Sequence, residues 1–327
     1  MHILIIGAAG MVGRKLTNAL VASGTLRGKS IGALTLADVV EPAAPEFSGD
    51  VKRIAIDMSA PGAAKTLVAG RPDVIFHLAA IVSGEAEMDF DKGYRINMDG
   101  TRALLEAIRH EGQREPWTPR LVFTSSIAVF GAPFPDAIPD EFFSTPLTSY
   151  GTQKAICELL LNDYSRRGFV DGIGIRLPTI TIRPGKPNLA ASGFFSNILR
   201  EPLAGQEAIL PVSRDVRHWF ASPRAAVGFL LHAAELDTAP MGWRRTVSLP
   251  GLSATVGEEI EALRRVAGEK AVALIREEPD PAIIRMVDGW AKNFDTKRAE
   301  ALGFKAEKTF DEIITAHIED ELGGRVG

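Results

Sequence analysis

The sequence predicts an α/β protein, a doubly wound parallel sheet followed by a smaller carboxy-terminal lobe. Three observations carry the prediction. Short apolar, largely β-branched runs alternate with longer amphipathic stretches. The first run leads straight into a glycine-rich turn and a helix. The alternation then stops near residue 178, where Pro and Gly accumulate.

Strands are expected at residues 3–7, 34–37, 53–56, 74–78, 121–124 and 172–176. Each is apolar on successive positions, as parallel strands covered on both faces must be. Helices are expected between them, including 12–23 and 94–110; in the latter Leu104, Leu105 and Ile108 share one face. The stretch 177–193, LPTITIRPGKPNLAASG, reads as loops and turns. Helices at 257–266, 281–291 and 310–321 follow without partner strands of equal regularity. Residues 1–178 are therefore expected to form a cofactor domain, with a later segment at about 215–235 returning to it. Residues 179–327 are expected to form mainly a substrate lobe.

Composition narrows the class. The chain has 327 residues, 46% of them hydrophobic and 24% charged, which is too apolar for disorder. Lys plus Arg number 37 against 41 Asp plus Glu, and no basic stripe marks a nucleic-acid partner. No apolar run approaches the ~18 residues of a membrane span, and the amino-terminal run is too short for an export signal. Cys157 is the only cysteine, which excludes internal disulfides and cysteine-based metal clusters and suits a cytoplasmic location. No metal is expected.

Gly7, Gly10 and Gly13 follow the first strand and open the first helix. Such glycines let backbone amides approach a pyrophosphate, and the helix amino terminus adds partial positive charge. Asp38 ends the second strand; a carboxylate there accepts from both ribose hydroxyls and repels a 2′-phosphate, which favours NAD over NADP. Arg14 follows the last glycine and could serve a phosphate.

The glycine spacing of three and three resembles the TGxxGxxG loop of the extended short-chain dehydrogenase/reductase family, a Rossmann-fold family. Further segments resemble it in order: Asp57-Met58, His77-Leu78-Ala79-Ala80, Asn97-Met-Asp-Gly100-Thr101, Ser125-Ser126-Ile-Ala-Val-Phe-Gly131 and Tyr150-Gly-Thr-Gln-Lys154. Phe130 stands where the family usually has Tyr. The resemblance implies that NAD is held by Gly7, Gly10, Met11, Val12, Gly13, Asp38, Asp57, Met58, Leu78, Ala79, Ala80, Asn97, Tyr150, Lys154, Leu177 and Thr179. Asp57 would meet the adenine, and Asn97 would help to order Lys154 through its backbone and a water.

The resemblance also implies that Ser126, Tyr150 and Lys154 are catalytic. Tyr150 and Lys154 are four apart and share a helical face. A free phenol, with a pKa near ~10, is a poor base at neutral pH, so a nearby ammonium is expected to acidify it. Ser126 would hold the substrate oxygen while Tyr150 removes its proton.

Candidate substrate contacts are Ser83, Ser125, Ser126, Tyr150, Thr179, Arg183 and Arg217. An arginine suits a carboxylate through two parallel hydrogen bonds. His218 reads as a packed ring. The run 121–206 and the segment NFDTKRAEALGF resemble the NAD-dependent dehydrogenases of bacterial tetronate catabolism, which implies oxidation of the C2 hydroxyl of a four-carbon sugar acid to the 2-keto acid. A nucleotide-sugar epimerase or dehydratase, or a uronate dehydrogenase, is the alternative; the segment Arg217–Arg224 lacks the acidic residues usual where sugar-nucleotide enzymes grip a diphosphate. The resemblance further implies a homodimer through the helices at 94–110 and 150–166.

Overall fold

The apolar runs assemble into one seven-stranded sheet in the computed structural model, which describes residues 1–185 and 192–326. Its strands are β1 (His2–Ile6), β2 (Ala33–Asp38), β3 (Asp50–Ala55), β4 (Val74–His77), β5 (Arg120–Ser126), β6 (Asp171–Leu177) and β7 (Thr246–Ser248). Their order across the sheet is β7-β6-β5-β4-β1-β2-β3. β1 pairs in parallel with both β2 and β4, Ile3 facing Leu34 on one side and Val74 on the other. The chain thus runs outward to β3 and returns to the opposite side of β1. That reversal opens a crevice at the carboxyl ends of β1 and β4, where ligands of such sheets bind.

Burial explains the central strands. Ile3, Leu4, Ile5 and Ile6 are almost wholly enclosed, and Leu4 and Ile6 share one core with Ile75, Leu104, Leu105, Ile108, Leu121 and Phe123. The edge strand β3 is largely exposed and carries Asp50, Lys52 and Arg53, charges that discourage pairing with another chain. β7 was not foreseen: three residues are too few for a period to register. The stretch expected as a single helix from 94 begins as a π-helical turn, Tyr94–Asp99, before regular helix at Gly100–Arg114.

The described chain divides into two compact units. The first comprises 1–129, 148–176 and 227–247, and the second 130–147, 177–226 and 248–327. These limits differ from the boundary expected at 178. Segment 130–147 clusters with the second unit because Phe130 packs on Phe142 and Phe294 and Ile138 bridges Phe294. The return to the first unit begins at 227 rather than about 215, because Arg217–Ala221 pairs with Leu252–Thr255.

In the second unit, helices Gly193–Leu203, Val256–Ala267 and Phe310–Glu321 enclose a core that includes Phe195, Phe220, Ile260 and Ile313. The helix expected to reach 291 ends at Asp288. The stretch expected as loop from 177 holds a two-residue strand, Thr179–Ile180; its residues 186–191 lie outside the described part. Among the described residues no helix is long and apolar enough to cross a membrane, and no cluster of His, Cys, Asp and Glu could hold a metal.

Candidate active site

The glycine turn is built by exclusion. Gly7 has φ +96°, and a Cβ there would stand 2.7 Å from the Ala79 backbone nitrogen. A Cβ on Gly13 would stand 2.1 Å from the Gly7 carbonyl oxygen, so only glycine lets the helix pack against the turn. Gly10 is less confined, but it caps helix Met11–Ser23 with no side chain, leaving the first amides of Met11, Val12 and Gly13 for an anion. Gly7 and Ala8 donate to the Ala37 carbonyl oxygen at 2.8 and 3.1 Å. At the end of β2 the partly exposed Asp38 carboxylate accepts from Ala9 N at 2.9 Å and from Val39 N at 2.7 Å. A cradle closed to any Cβ, an uncapped helix start and a carboxylate at the second strand's tip fit a dinucleotide with a free ribose diol. Arg14 is exposed and donates to the Ala9 carbonyl oxygen.

Other expected cofactor residues are pinned by the protein itself. Leu78 and Ala79 donate to the Ile6 carbonyl oxygen at 2.8 and 3.0 Å, and Ala80 follows them on the same partly covered segment. Asp57 accepts from the Ser59 hydroxyl at 2.6 Å and pairs with Arg95 at 3.2 Å; the Ser59 bond above all holds its carboxyl below the ordinary range. Met58 beside it is buried. The Asn97 side chain accepts from Ile81 N at 2.9 Å and donates to Ile81 O at 3.2 Å and Gln153 Oε1 at 2.8 Å, while its carbonyl accepts from Thr101 and Cys157. His77 is buried, with Nε2 on Thr101 Oγ1 at 2.9 Å; burial first, then the Lys154 charge, push it down to about 3. Leu177 closes β6, and Thr179 Oγ1 meets His218 Nε2 at 2.7 Å.

Ser126, Tyr150 and Lys154 come together in the first unit. Ser126 is the last residue of β5; its hydroxyl accepts from Ala128 N at 3.1 Å and lies near enough to the Tyr150 phenol to lower it. Tyr150 and Lys154 lie one turn apart on helix Ser149–Arg166, whose cap Thr148 accepts from Gly151 N at 3.0 Å. The charge pattern differs from the expected one. Desolvation pushes the Tyr150 phenol up to about 12, against a smaller lowering by Ser126. Burial brings Lys154 down to about 8. Its Nζ donates to the Thr124 carbonyl oxygen at 2.7 Å and lies 4.8 Å from the Phe123 ring centre and 5.7 Å from that of Tyr150. The ammonium therefore does not acidify the phenol in this arrangement.

The substrate candidates separate. Ser125 is buried and donates to Glu158 Oε1 at 2.5 Å, and Glu158 accepts two hydrogen bonds from the Arg176 guanidinium. That enclosed network removes Ser125 from the substrate list. Ser83 starts the short helix Ser83–Met88 and is partly exposed. In the second unit Arg217 donates to Ser253 O at 3.0 Å and pairs with Glu258 at 3.2 Å. It borders a cavity of about 720 Å³ with Ser253, Lys292 and Asn293, the last two not foreseen because neither sits in a recognisable motif. Arg224 is taken by Glu319 and Asp320. His218 is a packed ring, stacked on Phe195 and pushed down to about 4 by burial. Arg183 donates to Ser192 Oγ at 2.8 Å.

A glycine-cradled sheet edge with a Ser–Tyr–Lys cluster defines a dinucleotide-dependent enzyme, and the chain belongs to the NAD dependent epimerase/dehydratase family, whose model matches residues 3–239. Within it, the chain is 47% identical to D-erythronate dehydrogenase of Cupriavidus necator, over 98% of both chains. It is 43% identical to D-erythronate dehydrogenase of Haemophilus influenzae, over 98% of this chain and all of that one. Among solved structures, one described as the nucleoside-diphosphate-sugar epimerase from Agrobacterium tumefaciens superposes with a TM-score of 0.98 at 70% identity, covering 100% of this chain and 96% of the other.

Proposed function

We propose that the chain oxidises the C2 hydroxyl of a small sugar acid with NAD, the acid being D-erythronate and the product 2-dehydro-D-erythronate. The observation that carries the chemistry is a desolvated Tyr150 phenol close enough to the Ser126 hydroxyl to be lowered by it, with Lys154 one turn along. The substrate is supported by the two D-erythronate dehydrogenases that match at full length.

NAD would be held by the Gly7–Gly13 turn and Asp38, with Lys154 at its nicotinamide ribose, and when bound it supplies the acceptor for the hydride on C2. The remaining steps belong to side chains. Ser126 orients the alcohol oxygen, and Tyr150 takes its proton. Since burial holds the phenol near 12 and the amine near 8, the pair loses its first proton at about 8. The single proton remaining is shared, and the base is the form with a Tyr150 phenolate beside a Lys154 ammonium. Lys154 reaches that form by turning from the Thr124 carbonyl toward the phenol.

Epimerisation with NAD retained is the second reading, favoured by the description of the 70% identical structure. Against it, Arg217, in the segment where a diphosphate would be gripped, is already paired with Glu258. Both readings are tested by adding D-erythronate, other four- to six-carbon aldonates and uronates, and nucleotide sugars to enzyme and NAD. Accumulating NADH with D-erythronate sustains the dehydrogenase; epimerised nucleotide sugar without net NADH overturns it.

We also infer a homodimer and a cytoplasmic location. Leu159, on helix Ser149–Arg166, is 70% exposed, and Met88 and Phe90 nearby in sequence to the π-helical turn are exposed too. Light scattering after size exclusion tests the dimer.

A further inference from the structure

Tyr150, Lys154 and Glu158 follow one another at four-residue intervals on helix Ser149–Arg166, so their side chains rise from one face. The chemistry above uses the first two and not the third. Glu158 is buried in the first unit, with 3% of its surface exposed. Its Oε1 accepts from the Ser125 hydroxyl at 2.5 Å and from Arg176 Nε at 2.9 Å, and its Oε2 accepts from Arg176 Nη2 at 2.7 Å. Ser125 precedes Ser126 on β5, and Arg176 stands on the neighbouring strand β6. Apolar side chains of similar volume would stabilise the fold at least as well as such a buried ion pair. A carboxylate fixed one turn from Lys154 has a use if it acts on the amine.

The other titratable groups around the amine are neutral where it titrates. Burial pushes the Cys157 thiol up to about 11 and the His77 ring, from β4, down to about 3. Charges on the remaining elements packed against this helix are engaged elsewhere. Glu87 accepts from the Ser149 amide at the start of the helix, and Lys92 pairs with Glu85. In the π-helical turn Arg95 pairs with Asp57, and Asp99 acts on Cys157. On helix Gly100–Arg114, Glu106 is held by Arg109 and by Tyr164. Burial above all lowers Lys154, while Cys157 and Glu158 oppose it. With the thiol neutral, the Glu158 carboxylate is the charge that favours the ammonium.

We infer that Glu158 is a positioning residue of the reaction: its carboxylate keeps the shared proton on Lys154 while Tyr150 carries the negative charge that takes the alcohol proton. The inference rests on the dehydrogenase reading above. Its effect depends on how many protons the Tyr150–Lys154 pair holds. Below the limb at about 8, Lys154 is an ammonium with or without Glu158, and the active form needs only the phenol to ionise. Above the limb one proton is divided between amine and phenol, and the carboxylate favours the amine. Removing it moves the limb down and shrinks the active form above the limb.

The test measures kcat/KM for D-erythronate against pH in wild type, Glu158→Gln and Ser125→Ala. In parallel, protein carrying isotope-labelled lysine is titrated by NMR, with the Lys154 signal assigned through Lys154→Met. In Glu158→Gln the limb should fall by about one pH unit and kcat/KM above it by about tenfold, the two profiles converging at low pH. Ser125→Ala keeps the carboxylate and Arg176, so its limb should stay where wild type has it. A merely structural network would make the two variants alike, since both break the Ser125–Glu158 bond, and would lower the rate at every pH. An unmoved limb in Glu158→Gln, or equal shifts in both variants, overturns the inference and leaves the dehydrogenase reading intact. Should Glu158→Gln not fold, the double variant Glu158→Met with Arg176→Met removes both buried charges together, a change that folded proteins often tolerate. The same downward shift is expected there, and a wild-type limb overturns the inference. If wild type forms no NADH with any acid offered, the dehydrogenase reading fails and the NMR titration decides Glu158 alone. A Lys154 signal titrating about one unit lower in Glu158→Gln sustains its hold on the amine, and an unchanged titration overturns it.

Discussion

Lys154 gives its ammonium to the Thr124 carbonyl oxygen at 2.7 Å, and desolvation pushes the phenol of Tyr150 up to about 12. The two groups are thus poised in reverse: the amine titrates near neutrality and the phenol far above it.

This ordering sets the pH dependence. The pair releases its first proton where Lys154 does, at about 8, so kcat/KM for the acid should rise with pH through about 8. Stopped-flow rates across that range check it. A rising limb centred below about 6.5 would mean that the phenol is acidified before any ligand arrives.

Asp38 should decide between dinucleotides. Its carboxylate spans Ala9 N and Val39 N and stays partly exposed. Asp38→Ser should weaken NAD by about 10-fold or more and improve NADP, since it removes the acceptor and the repulsion together. The ratio of kcat/KM for the two dinucleotides is the readout, and an unchanged ratio removes Asp38 from the ribose.

Gly13 should tolerate no side chain. A Cβ would meet the Gly7 carbonyl oxygen at 2.1 Å and the Ala8 Cα at 2.8 Å, both backbone. Gly13→Ala should lower NAD affinity by more than about 10-fold through displacement of the turn. Calorimetric titration with NAD checks this, and wild-type affinity would contradict the cradle.

Glu259 offers a stability test apart from catalysis. It is fully buried, neither carboxylate oxygen has a partner, and burial raises its carboxyl well above the ordinary value. The fold therefore keeps the proton where the unfolded chain loses it. Stability is full below the ordinary carboxyl range and falls as pH rises from there toward the raised value. Glu259→Met should stabilise the protein by about 1–4 kcal/mol at neutral pH and flatten that decline. Urea unfolding at about pH 5 and pH 8 measures both; a destabilised variant would show that the carboxyl has an unseen partner.

What could be read from the sequence was local. Gly7, Gly10, Gly13 and Asp38 lie within one βαβ unit, and four-residue spacing alone placed Lys154 one turn from Tyr150. What could not be read depended on partners far along the chain. Ser125 looked like a substrate contact until Glu158, 33 residues later, and Arg176 behind it closed around the hydroxyl. The state of Tyr150 follows from burial, a property of packing rather than spacing. β7 has three residues, too short to carry a pattern.

The central claim is that Tyr150 takes the proton of the alcohol being oxidised. The most direct measurement is NADH formation by wild type and Tyr150→Phe with saturating NAD and D-erythronate, alongside NAD affinity. Turnover in Tyr150→Phe should fall by at least about 100-fold while NAD affinity stays near wild type. Retained turnover, or loss of NAD binding along with it, would contradict the account.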